Sequence, residues 1–147
     1  MNPLPQMNIS HIDGRLWQGS APLGARDRGI VSEQFDVLVL AAEEFQPTAT
    51  EFPGMHVVHA PFRDEPITPE AMAIAMRAAR IVARRLIRGD RVLVTCLAGW
   101  NRSGLISALS LREATGASGK TVADVVQSRR PNALINGSFL RTLHRLR

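Results

Sequence analysis

Tyrosine is absent from this chain, cysteine occurs once, at Cys96, and only one of the 18 basic residues, Lys120, is a lysine. A lone thiol cannot close an internal disulfide, so the fold must rest on its core and the sulfur is left free for chemistry. No apolar run approaches the roughly 20 residues that a membrane helix needs, and no membrane partner is expected. Residues 1–6 hold no basic stretch followed by an apolar one, so a secretory signal is not expected and the cytoplasm is the expected compartment. Repeats, linkers and low-complexity stretches are missing too. His and Cys do not cluster at metal-ligand spacing, so neither a metal nor another cofactor is expected.

What is present fits one domain spanning residues 1–147, with 45% hydrophobic and 21% charged residues, an ordinary globular balance. The formal charge is +5. Its arginines are spread along the chain rather than gathered in one patch, which reads as solvated helix faces; nucleic acid is not an expected partner. A positive field of this kind also draws anionic ligands.

Asp13-Gly14 between residues 8–12 and 15–19 is a hairpin signal. Residues 35–40 form a nearly continuous apolar run, read as a buried strand, and 55–60 read as another. A polar loop with proline follows at 61–67. Thr68-Pro69-Glu70 then opens a helix: the threonine can cap it, the proline suits its first position, and the acid suits its positive end. The apolar stripe from Met72 to Leu86 has helical spacing and stops at Gly89-Asp90. Residues 91–95 are the last clear strand, and helices are expected at 103–114, 118–129 and 136–146. Strands alternating with helices indicate an α/β fold with a central, largely parallel sheet flanked by helices. His56 and His59 are expected to share one strand face and to be structural.

The segment Val94-Thr95-Cys96-Leu97-Ala98-Gly99-Trp100-Asn101-Arg102-Ser103-Gly104 carries the chemistry. A strand brings Cys96 to the sheet edge where ligands of open α/β sheets bind. Leu97, Ala98, Gly99, Trp100 and Asn101 can wrap into a loop whose backbone N–H groups form an anion nest above a helix N-terminus. Gly99 permits the bend, and Arg102 offers a planar fork that matches two phosphate oxygens. The same positive field favours Cys96 as a thiolate, the form that acts as a nucleophile. Ser103 can donate a hydrogen bond to that thiolate. A thiolate attacking a phosphate ester expels an alkoxide that needs a proton, so a carboxylic acid is expected on a neighbouring loop. Asp64 is the choice and Glu65 its competitor. Trp100 either flanks the pocket mouth or packs into the core. Asn101 either braces the loop or contacts substrate. Arg63 reads as a solvated charge.

These residues resemble the cysteine-dependent protein tyrosine phosphatase superfamily, in its compact dual-specificity branch. The family signature is Cys, five residues, Arg, then Ser or Thr, and stands here at Cys96, Arg102 and Ser103. Asp64 precedes Cys96 by 32 residues, the spacing of the family's general acid in that branch. The run from Ile12 to Ser20 is similar to the branch's opening hairpin, and Arg129, Arg130, Pro131, Asn136 and Phe139 to its closing helices, so the resemblance covers about residues 8–146.

The resemblance implies a dual-specificity phosphatase-like fold and hydrolysis of phosphate monoesters through a phosphocysteine, without a metal. Cys96, Arg102, Asp64 and Ser103 would be catalytic; residues 97–102 would bind the phosphate. The implied partner is a phosphorylated protein, bearing phosphotyrosine and also phosphoserine or phosphothreonine, or another phosphoester. The alternatives are a non-protein substrate, an RNA 5′-triphosphate or a phosphoinositide, or a phosphate-binding module without turnover. One position departs from the pattern: the family's histidine before the cysteine is Thr95 here, whose hydroxyl could bond the loop backbone instead.

Overall fold

The computed structural model describes residues 7–147; residues 1–6, on which the expectation of no secretory signal rests, lie outside them. Five strands and five α-helices follow one another: β1 (Ile9–Asp13), β2 (Leu16–Gly19), α1 (Ala25–Gln34), β3 (Val37–Ala42), β4 (His56–Phe62), α2 (Pro69–Ile87), β5 (Val92–Thr95), α3 (Arg102–Thr115), α4 (Gly119–Arg129) and α5 (Gly137–His144). A short 3-10 turn, Ala49–Glu51, precedes β4 and has no counterpart in the sequence reading.

The sheet order is β1-β2-β5-β3-β4. β1 pairs antiparallel to β2 across the Asp13-Gly14 turn, and the other neighbours are parallel. All six residues of β3 are buried, because the strand is covered on both faces. Its alternate residues serve two cores. Val37, Val39 and Ala41 face the larger cluster shared with α2, α3, α4 and α5. Leu38 and Leu40 face a smaller one with Val31 of α1, Phe35 and Phe52. Each such buried aliphatic side chain contributes about 1.5–3 kcal/mol relative to exposure.

β4 runs on to Phe62, past the expected end at Ala60. It is an edge strand, so Pro61 removes no ladder bond that a neighbour requires. The burial of β4 alternates, with Val58, Ala60 and Phe62 inward. His56 and His59, three residues apart on a period of two, therefore lie on opposite faces, which corrects the expectation that they share one. His59 Nε2 is satisfied by the Pro47 carbonyl at 2.8 Å. The capping of α2 follows the sequence: Thr68 accepts from the Ala71 N–H at 3.1 Å, with Pro69 in the first turn.

This topology sets up the site. β2, β5, β3 and β4 are adjacent and parallel. Their carboxyl ends therefore bring Gln18, Cys96, Glu44 and Asp64 to one edge of the sheet.

Candidate active site

Cys96 leaves the central strand β5 and is buried. The next residues bend back toward α3, and their carbonyls are all claimed from outside the loop. The Leu97 carbonyl accepts from the Ala21 N–H at 3.0 Å, and that of Trp100 from the Leu134 N–H at 3.0 Å. The Ala98 carbonyl accepts from Arg130 Nη2 at 3.1 Å. The Gly99 carbonyl accepts from Arg130 Nε at 2.6 Å and from Gln18 Nε2 at 2.9 Å. In a planar trans peptide the carbonyl and the following N–H point in opposite directions. The N–H groups of Ala98, Gly99, Trp100 and Asn101 thus face into the loop, and none donates to a described protein group. This is an anion nest.

Gly99 is required twice over. Its φ is +80°, and a Cβ there would sit 2.4 Å from the Gly19 carbonyl carbon. Leu134 takes φ +61°, a costly conformation for a side chain of that size. It allows the Leu134 N–H to reach the Trp100 carbonyl while its own side chain packs close to Gly104 of α3.

Arg102, buried at the first position of α3, meets Glu44 end-on: Nη1 to Oε1 at 2.5 Å and Nη2 to Oε2 at 3.0 Å. Nη1 also donates to the Phe62 carbonyl at 3.0 Å. Three of the five guanidinium hydrogens are thereby used, and buried Nε has no partner. What remains is the side edge, Nε–H with the second Nη2–H, a fork suited to two oxygens of one phosphate. Burial pulls the Arg102 guanidinium down. The Glu44 hydrogen bonds and the charges of Cys96, Glu44 and Asp64 more than offset that and hold it above the ordinary arginine range. The Arg102 bond, against opposing desolvation, keeps the Glu44 carboxyl below the usual carboxylate range.

Ser103 Oγ lies 3.2 Å from Cys96 Sγ. Asp64, two residues beyond β4, accepts from Asn101 Nδ2 and from Asn136 Nδ2, both at 2.9 Å. Arg130 is buried and reaches the other side of the loop, where Nη1 also bonds Asn8 Oδ1 at 2.8 Å and Ser10 Oγ at 2.9 Å. Burial lowers its guanidinium below the ordinary arginine value, with the Cys96 charge acting in the opposite direction.

No family model and no curated protein matches the sequence. Solved structures do match. Tk-PTP in its active form is 25% identical, with a TM-score of 0.78 over 92% of this chain and 95% of its own. The chain resembles the cysteine-dependent protein tyrosine phosphatases and has their fold. Its fold is also that of human DUSP28 (24% identity, TM-score 0.76, 98% of this chain and 97% of that one). PTPMT1 in complex with PI(5)P shares it as well (21% identity, TM-score 0.77, 92% of each).

Within this fold the expected residues Cys96, Arg102, Ser103 and Asp64 converge at one sheet edge. Glu65 lies at the mouth but makes no bond to the Cys96 loop: its carboxylate pairs with Arg63 at 3.9 Å, and its backbone carbonyl bonds Asn136. Trp100 and Leu97 are exposed, which rules out core packing for the indole. The Thr95 hydroxyl does not reach the loop backbone; it donates to the Val39 carbonyl in β3 at 2.7 Å. The Arg102 fork expected to meet two phosphate oxygens keeps its Nε edge for them, while its end is committed to Glu44. Glu44 and Gln18 escaped the sequence reading because their roles depend on which strands are neighbours. The only hint of Glu44 was an acid just past a buried strand.

Proposed function

We propose that the chain is a cysteine-dependent phosphatase that hydrolyses phosphate monoesters, phosphotyrosine with phosphoserine and phosphothreonine in proteins, in the cytoplasm. The observation that carries this reading is the coincidence, around one sulfur, of four inward N–H groups, a free guanidinium edge and a hydroxyl at 3.2 Å. In the first step the Cys96 thiolate attacks phosphorus. The P–O ester bond breaks, and Asp64 gives its proton to the leaving oxygen. In the second step Asp64, now a carboxylate, takes a proton from water, whose oxygen attacks phosphorus. The P–S bond breaks, inorganic phosphate leaves, and Ser103 donates a hydrogen bond to the departing thiolate. The nest and Arg102 bind the charge that accumulates on the equatorial oxygens.

The mouth is an open depression lined by Glu43, Glu44, Arg63, Asp64, Glu65 and Arg102. An open mouth favours several phosphorylated side chains over phosphotyrosine alone. Leu97, Ala98, Trp100 and Asn101 bring no charge to the loop, which supports a single phosphate over an RNA 5′-triphosphate or a phosphoinositide. A proton donor held beside the loop supports turnover over mere phosphate binding. The test is hydrolysis of p-nitrophenyl phosphate and of phosphopeptides, beside lipid headgroups and triphosphorylated RNA. Cys96→Ser should abolish phosphate release, and a wild-type enzyme that binds phosphopeptide without releasing phosphate would refute the reading.

A further inference from the structure

Taking Asp64 as the proton donor of that reaction, we infer that Asn101 and Asn136 are positioning residues that fix its carboxylate between the nucleophile's loop and the start of α5.

Asn101 occupies the N-cap of α3, where an asparagine ordinarily bonds the N–H groups of its own helix. Here it makes no such bond. Its Nδ2 goes to Asp64 Oδ2 at 2.9 Å, and its Oδ1 accepts the Asn136 backbone N–H at 2.9 Å. The amide orientation is forced, because a carboxylate oxygen accepts and a backbone N–H only donates. A cap diverted in this way leaves the first N–H groups of α3 open to an anion and puts the carboxamide to work on the acid.

Asn136 divides its own side chain similarly. Oδ1 caps α5 through the N–H groups of Ser138 and Phe139, at 3.1 and 3.3 Å. Nδ2 is directed to Asp64 Oδ1 at 2.9 Å and to the Glu65 carbonyl at 3.1 Å. Ser138 Oγ accepts the Ile67 N–H at 2.9 Å. The exposed acid loop is therefore pinned at residues 64, 65 and 67. Each Asp64 oxygen accepts one of these carboxamide bonds and keeps a lone pair, enough to carry the proton to a leaving group and later to receive one from water.

A general acid matters most when the leaving group is poor. The informative quantity is the ratio of kcat for phenyl phosphate to kcat for difluoromethylumbelliferyl phosphate, whose leaving group needs little help. Asp64→Asn should lower this ratio by about 100-fold or more, the scale of a lost general acid. Asn101→Ala should lower it by roughly 10-fold on the same scale. Asn136→Asp, which keeps the capping oxygen but replaces the donor with an anion, should lower it as well. In the Asp64→Asn background neither change should lower it further, because residues acting through one group are not additive. Thermal melting run alongside reports the fold of each variant. An unchanged ratio in both single variants, or a drop that persists in full beside Asp64→Asn, overturns the positioning role. If Asp64→Asn leaves the ratio unmoved, the acid assignment falls and this role with it. A wild-type enzyme that cleaves neither ester would instead fail the phosphatase reading itself.

Discussion

Glu44 holds the end of the Arg102 guanidinium with both carboxylate oxygens and leaves the Nε edge without a partner. The pair decides which way a buried cation faces. Glu44 is half exposed and Arg102 is not, so solvent screening on the Glu44 side keeps the pair's contribution to stability modest, while its effect on orientation is large.

Replacing Glu44 by alanine should therefore separate activity from folding. A misplaced guanidinium lowers kcat/KM by about 100-fold, the scale of a small error in a reacting geometry. The melting temperature should fall only modestly, because the half-exposed carboxylate is screened by solvent. Steady-state kinetics and a thermal melt on the same preparation check both.

Acid should expose the same pair. The Glu44 carboxyl in the folded chain lies below its ordinary value of 4.5. Its contribution to stability is thus complete above that value. It is lost as the pH falls through the depressed folded value, because the unfolded chain takes up a proton first. The difference in urea midpoint between wild type and Glu44→Gln should be constant from about pH 7 to about pH 5 and shrink progressively as the pH falls further. A difference that grows in acid would contradict the sign.

Gly99→Ala should cripple the loop while sparing the sheet. The new Cβ meets backbone, not a flexible side chain, at 2.4 Å from Gly19, and the positive φ adds strain on the order of 1–3 kcal/mol. Loss of turnover with a lowered but cooperative melting transition is the expected result, read by kcat and by circular dichroism.

Arg130→Lys should weaken oxyanion binding. A lysine cannot hold the Ala98 and Gly99 carbonyls while also reaching Asn8 and Ser10. Tungstate affinity, measured by calorimetry, should fall by roughly 10-fold, or about 1.4 kcal/mol.

The local chemistry was legible because it is local. The strand, the cysteine, the glycine and the arginine lie within one short stretch, and their spacing defines a loop between a strand and a helix. β3 read as buried because both of its faces are apolar. The relationships between distant segments were not legible. Glu44 matters because β3 lies beside β5, and Asn136 because α5 begins against the loop after β4. Neither adjacency leaves a mark at the residue concerned. Thr95 was misjudged for the same reason: its hydroxyl looks across to Val39 on the neighbouring strand, not forward along its own chain. Asn101 was read as a brace or a substrate contact, and its bonds to Asp64 and Asn136 make it a brace between loops.

Arg130 ties Asn8 and Ser10 to Ala98 and Gly99, and Gly19 lies directly beneath Gly99. The cradle around the sulfur is thus assembled from the beginning, the middle and the end of the polypeptide. A chain still emerging during synthesis, or one frayed at either terminus, has the cysteine but not its cradle. The loop thus takes its final shape only once both ends of the polypeptide have docked against its middle.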